Sequence, residues 1–165
     1  MKDNKVILNA EFINSQIVDS DLYIRWIPLI LCWPPDKFLG ISEFGNWVVE
    51  ESNGVRLLDK ANSFLRVKVL LENQLNDIRN TINKKLEGFN LDFDSSFPFK
   101  DLLEQVMKND SEYWVEHALR WYDDIPQENK KDLKEALETI QNKMVLSQKI
   151  RHKAIKELAR LRDNN

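Results

Sequence analysis

The chain has 165 residues, of which 42% are hydrophobic and 31% are charged, and its formal net charge is −3. This composition is typical of a folded globular protein and excludes a disordered chain, while the length suits one domain with a sizeable core. Cys32 is the single cysteine, which excludes an internal disulfide and a thiolate zinc site.

The apolar stretches are too short for a membrane helix. The most apolar one, Trp26 to Trp33, falls well below the ~20 residues that a membrane span needs, and Pro28 interrupts it. Met1 is followed by polar residues, which is not the start of a secretory signal. Together with the single cysteine, these features predict a soluble cytoplasmic protein that does not contact a membrane.

The first 55 residues mix strand-like segments with chain breakers. Three segments have the β-branched and aromatic content of short strands: Val6–Leu8, Phe12–Val18 and Trp47–Val49. Asp21–Ile27 is compatible with the start of a helix that Pro28 would end, and Gly40, Gly45 and Asn46 predict turns. The pattern predicts an irregular or short-strand lobe.

The middle of the chain has helical spacing. The apolar residues that keep this spacing are Leu71, Leu75, Ile78, Ile82 and Leu86. We therefore predict one long helix from Leu58 to Glu87, with Gly88 as its terminator. However, apolar and basic residues alternate from Leu65 to Leu71, which is typical of a strand. A short strand before a shorter helix is the alternative.

The last third of the chain predicts several amphipathic helices. Pro98–Lys108 has an apolar side at helical spacing. Tyr113–Ile125 follows with a wide apolar face, and Ser111 is a candidate N-cap. Pro126 ends this helix, and neither glycine nor proline occurs from Gln127 to Asn165.

Two runs of helical periodicity occupy that final stretch. The first run consists of Leu133, Ala136, Leu137, Ile140 and Met144. The second consists of Ile150, Ala154, Leu158 and Leu161. The phase slips near residues 145–148. The pattern predicts either one long helix that changes its buried face there, or two helices that meet at a short joint.

These elements predict a mainly α chain that forms a single compact helical domain over residues 1–165. Residues 1–55 would be the irregular or short-strand lobe, and residues 56–165 would be helical. The small numbers of glycine and proline, four and five, disfavour an all-β design with many tight turns. An α+β fold, with strands in the amino-terminal third, is the alternative.

No catalytic residue, metal ligand or cofactor is predicted. Asp92, Asp94 and Ser96 fit the bare pattern of aspartate-dependent phosphatases, but the residues before them are too short and polar for a buried strand. A loop with a helix cap explains them better. His117 and His152 lack the spacing of a metal site, and Cys32 stands among apolar residues that favour an inert buried thiol.

The clearest candidate site is a basic stripe near the carboxyl terminus. Its members, which share one helical face, are Lys149, Lys153, Lys156 and Arg160. Residues 129–165 contain ten Lys/Arg and five Asp/Glu, a balance of +5, which leaves −8 for residues 1–128. The overall acidity disfavours nucleic-acid binding, so an acidic protein or the chain's own acidic residues would meet the stripe. Asp123 and Asp124 are candidates for that second role.

We therefore predict a non-enzymatic module that binds another protein. The acidic body would suit an immunity or antitoxin-type protein that masks a basic partner. Trp33, in a Trp-Pro-Pro-Asp sequence, is a candidate contact residue. The alternatives are a metal-dependent enzyme that uses Asp and Glu residues, and nucleic-acid binding through the basic helix. The sequence leaves self-association open.

Overall fold

The structure, a computed structural model, describes residues 12–33, 36–109 and 111–163. The chain divides into two compact units: the sheet unit, Met1–Phe97, and the helical unit, Pro98–Asn165. That the chain forms a single domain stays a prediction, and the predicted strand Val6–Leu8 lies outside the described residues. Within the described ranges, no helix combines the length and apolarity that crossing a bilayer requires.

The sheet unit contains five antiparallel strands. They are β1 (Ile13–Gln16), β2 (Tyr23–Trp33), β3 (Lys37–Ser42), β4 (Trp47–Glu51) and β5 (Gly54–Leu57). Each strand pairs with the next along the chain, and the sheet curls into a half-barrel. The strands predicted within Phe12–Val18 and at Trp47–Val49 are confirmed as β1 and β4.

The curl brings the first strand to the last. Ile17 forms a parallel bridge with Val55, and the Val18 backbone N–H donates to the Val55 carbonyl at 2.9 Å. Gly54 permits this approach because a Cβ there would lie 2.2 Å from the Gln16 carbonyl oxygen, and its φ of +143° is one that L side chains rarely adopt.

Two predictions for this region are wrong. Asp21–Ile27 does not start a helix, because its β-branched and aromatic residues belong to β2. Pro28 sits beside a register shift between β2 and β3, where a missing N–H is tolerated. Gly40 lies inside β3 and not in a turn, because its missing Cβ leaves room for the Trp26 ring, which would be 2.5 Å away. Gly45 does lie in the turn between β3 and β4.

Short helices follow the strands. They are α1 (Ala61–Phe64), a 3₁₀ helix (Lys68–Glu72), α2 (Leu75–Lys85) and α3 (Phe93–Ser96). The long helix predicted from Leu58 to Glu87 is wrong. In the alternative, the short strand is wrong, because a 3₁₀ helix occupies residues 68–72, whereas the shorter helix is confirmed as α2. Asn73 is extended and separates the 3₁₀ helix from α2. The apolar spacing continues across the break because each piece buries one side: Phe64, Leu71 and Ile78 are all buried.

The fold is mixed α+β, so the prediction of a mainly α chain with a few short strands is wrong. β2 explains the error. It is eleven residues long, and its burial changes phase where Trp26 and Ile27 are both buried, so the two-residue alternation of a half-buried strand does not continue along it.

The helical unit contains five helices within its described residues. They are α4 (Phe99–Asn109), α5 (Glu112–Asp124), α6 (Gln127–Asp132), α7 (Lys134–Asn142) and α8 (Gln148–Asp163). The helices predicted at Pro98–Lys108 and Tyr113–Ile125 are confirmed, with Ser111 at the N-cap position of α5. For the two periodic runs, the second alternative is confirmed: α7 and α8 are two helices with a short joint at residues 143–147, and the additional short helix α6 precedes them.

The buried faces of α7 and α8 agree with the predicted periodicity, with one exception. The Met144 side chain is 76% exposed, because α7 ends at Asn142 and Met144 lies in the joint. At that joint the Ser147 backbone N–H donates to the Glu112 carboxylate at 3.1 Å, which ties the start of α8 to the start of α5.

Candidate functional site

The basic stripe of α8 lies partly against α5. The Lys149 ammonium donates to the Glu116 carboxylate at 2.9 Å. One turn later, the Lys153 ammonium donates to the Asp123 carboxylate at 2.7 Å and to the Leu119 carbonyl at 3.0 Å. Because side chains four residues apart share a helix face, the two lysines bridge α8 to α5 at successive turns.

A groove runs along these two helices, and its first part has an apolar floor. This apolar end encloses about 510 Å³. Its lining residues are Glu116, His117, Leu119, Arg120, Lys149, Ile150 and Lys153. Leu119 and Ile150 are almost fully buried, so their side chains belong to the core and only a small part of them faces the groove.

The second part of the groove is basic and encloses about 550 Å³. Its lining residues are Asp123, Lys130, His152, Lys153, Lys156, Glu157 and Arg160. Lys153 lines both parts, so the two parts adjoin there. The basic end contains four Lys/Arg side chains and two carboxylates, a balance of +2 with the histidine neutral.

Two cations of the basic end lack a carboxylate partner. The Lys130 ammonium donates to the Asp123 carbonyl at 2.8 Å and lies 5.4 Å from the centre of the Tyr122 ring. Lys156 is exposed. Within the part of the chain that the structure describes, neither lysine forms an ion pair. Their charges are therefore available to an anionic group.

The remaining charges of the groove are held internally. Glu157 is only 8% exposed and accepts a hydrogen bond from Arg160 at 2.6 Å. Burial, followed by the nearby carboxylates of Glu157 and Asp123, raises the pKa of the Tyr122 hydroxyl to about 12, so this group stays protonated at neutral pH. The hydrogen bond from Lys149 lowers the pKa of Glu116, which keeps that ion pair charged.

Only some of the predicted interaction residues line the groove. Lys149, Lys153, Lys156, Arg160 and Asp123 line the groove. Asp124 is exposed as the last residue of α5 and is not among the lining residues. Trp33 ends β2 in the sheet unit, and its side chain lies outside the described residues. Contact of any of these residues with a partner stays a prediction.

Lys130 and Glu116 are two of the charged groove residues that sequence reasoning missed. Lys130 comes from α6, and only the packing of α6 in the helical unit brings it to the face of α8. No spacing rule connects residue 130 with residue 156. Glu116 could have been found, because it lies seven residues before Asp123 and so shares its side of α5.

The residues that were rejected as sites on sequence grounds have structural roles. The Asp92 carboxylate accepts the Ser95 N–H at 3.1 Å and caps α3, which confirms the cap interpretation. The Arg79 guanidinium holds both Asp94 oxygens, at 2.8 and 2.9 Å. Burial raises the pKa of the Cys32 thiol to about 12, as expected for an inert buried cysteine.

The described residues bring together no group of three or more His, Cys, Asp or Glu side chains that could hold a metal ion. The groove offers ammonium and guanidinium donors beside an apolar floor. This arrangement can bind an anionic ligand with an apolar part. Comparison with protein-family models, with curated protein sequences and with solved structures finds no match to this chain.

Proposed function

We propose that the chain is a protein-binding module whose groove between α5, α6 and α8 receives negatively charged side chains of a partner protein. The observation that carries this proposal is the pair Lys130 and Lys156, two cations from different helices that share one groove and have no carboxylate partner among the described residues. Cations placed together in this way favour carboxylates by charge complementarity.

The charge of the whole chain supports a protein partner over a nucleic acid. A nucleic acid presents phosphates well beyond the groove, where the net charge of −3 repels them within about a Debye length, some 8–10 Å at physiological salt, whereas a short acidic segment of a protein meets only the groove. The proposal includes no catalytic step. The compartment that we propose is the cytoplasm, since the chain has one cysteine and that thiol is buried.

A second candidate is the immunity or antitoxin-type function, in which the partner is basic. Three exposed carboxylates of the sheet unit support it: Asp21, Asp36 and Asp59. None of them forms an ion pair within the described ranges. These carboxylates are available to the cations of a basic partner, in the same way that Lys130 and Lys156 are available to the anions of an acidic one.

One affinity capture from the native organism's lysate, treated with nuclease, distinguishes the two candidates. The baits are the full chain, the double variant K130E/K156E and the double variant D21K/D59K. We expect a stoichiometric protein that the K130E/K156E bait loses and the D21K/D59K bait retains. Loss with D21K/D59K alone would favour the basic partner, and retention by all three baits would contradict both candidates.

A further inference from the structure

The two ends of the groove differ in chemistry, and both lie along one helix. On α8 the apolar end is lined by Lys149, Ile150 and Lys153, and the basic end begins at His152 and continues to Arg160. With a rise of 1.5 Å per residue, Lys149 to Arg160 covers about 17 Å. An extended peptide rises about 3.3 Å per residue, so about five residues would occupy this length.

The apolar and basic features have a defined separation. The small exposed part of Ile150 belongs to the floor of the apolar end, and Lys156, on the same helix, is a cation of the basic end without an ion pair among the described residues. Lys156 lies six positions after Ile150, which is a rise of about 9 Å along the axis with an offset of roughly 120° around it. In an extended peptide that distance corresponds to about three residues.

From this arrangement we infer that the groove binds a short segment of the partner protein in which an apolar side chain precedes or follows a pair of Asp or Glu residues by about three positions. The apolar side chain lies over Leu119 and Ile150, and the two carboxylates bind Lys130 and Lys156. This inference rests on the proposed function, because it specifies the anionic partner of the same groove.

Charge complementarity selects this occupant. The two ammonium groups that have no carboxylate partner among the described residues match two carboxylates, while Lys149 and Lys153 are already bound to Glu116 and Asp123 and form the walls of the groove. The apolar end gives affinity that a purely acidic segment cannot use, because burial of an apolar side chain there removes its surface from water. A segment with only one of the two features fills half of the groove.

The test is a selection from a random peptide display library with the full chain as bait, followed by fluorescence-polarisation titration of the selected peptides. We expect enrichment of sequences with two acidic residues and an apolar residue about three positions away. In the titrations, replacement of the apolar residue by serine and replacement of both acids by their amides should each weaken binding about tenfold or more.

Two protein variants form a matched pair for this test. K130E/K156E reverses the two unpaired cations, whereas K131E/R162E makes the same charge change at exposed positions of the same helices that do not line the groove. We expect K130E/K156E to weaken binding of the selected peptide about tenfold or more and K131E/R162E to leave it within about twofold.

The outcomes separate this inference from the proposed function. If acidic peptides bind equally well with serine at the apolar position, the inferred need for an apolar residue is overturned, while the proposed acidic partner is kept. Enrichment of basic peptides, or no enrichment, would overturn both. If a duplex oligonucleotide binds more tightly than the selected peptides and K130E/K156E abolishes that binding, a nucleic acid takes the place of the protein segment.

Discussion

At the start of α8, the chain's own carboxylates hold the cations of the groove: Lys149 binds Glu116 and Lys153 binds Asp123. At the other end, Lys156 from α8 and Lys130 from α6 line the groove without such a carboxylate among the described residues. Lys149, Lys153 and Lys156 continue one row of side chains on α8, yet α5 provides a carboxylate only for the first two.

This difference shows that a periodic row of lysines is not a single functional unit. An ammonium held by a neighbouring helix contributes to the packing of that helix, and its charge is largely neutralised at short range. An ammonium without a carboxylate keeps its charge for another molecule. Substitution of single residues from each of these two classes therefore tests the comparison.

The largest effect is expected at the floor of the apolar end. Ile150→Ala removes a 3% exposed side chain and should lower the free energy of unfolding by about 2–5 kcal/mol. Ile155→Ala is the matched control, because the same residue type on the same helix is 44% exposed there and should change stability by about 0.5 kcal/mol or less. Urea denaturation measures both, and equal losses would contradict the placement of Ile150.

A smaller effect is expected where the two ends of the groove meet. Lys153→Ala removes the hydrogen bonds to Asp123 and to the Leu119 carbonyl, so we expect a loss of about 1 kcal/mol in the free energy of unfolding. Lys156→Ala should leave stability within about 0.5 kcal/mol, because no ion pair is lost. Thermal and urea unfolding in parallel check the difference. If Lys156→Ala destabilised the chain as much as Lys153→Ala, the contrast between the two ends would be lost.

The smallest effect concerns the pH dependence of the exposed pair Lys149–Glu116. The hydrogen bond from Lys149 lowers the pKa of Glu116 below 4.5, so the pair's contribution to stability is complete above that pH and is lost as the pH falls through the folded-state pKa. NMR titration of the Glu116 carboxyl should show the lowered midpoint. Lys149→Ala should return it towards 4.5 and Lys156→Ala should not, whereas an unchanged midpoint in Lys149→Ala would exclude the pair.

Added salt sharpens the same measurement. Because the Lys149 and Glu116 side chains are 83% and 58% exposed, mobile ions screen their interaction. We expect the Glu116 midpoint to rise towards its ordinary value between low and high ionic strength. A midpoint that does not respond to salt would indicate a pair shielded from water.

Four of the five helices described in the helical unit could be predicted from the sequence, because each buries one face and the spacing of its apolar residues records that face. The fifth, α6, has no buried residue and gives no such pattern. The phase slip before Gln148 correctly marked a change, although only the structure shows that it is a joint. The 3₁₀ helix and α2 could not be separated in this way, because Leu71 and Leu75 keep helical spacing across the extended residue Asn73.

The groove could be predicted only in part. Lys149, Lys153, Lys156 and Arg160 share a face because of their spacing, which any helix would produce. Which of them stay available depends on α5 and α6, whose positions follow from side-chain packing over more than thirty residues of sequence, as for the pair Lys149–Glu116. The proposal of an anionic partner likewise depends on Lys130, whose place in the groove no local pattern records.

The meeting of β1 and β5 bears on how the chain behaves when it is concentrated. An open sheet presents unpaired backbone groups along its outer strands, and these can recruit a strand from another molecule into a growing aggregate. The bond from Val18 to Val55 uses two of those groups within the molecule. A side chain at Gly54 would meet the Gln16 carbonyl oxygen, so the backbone would have to shift and the bond between Val18 and Val55 would be strained. Gly54 thus helps the molecule to satisfy part of its own sheet edges.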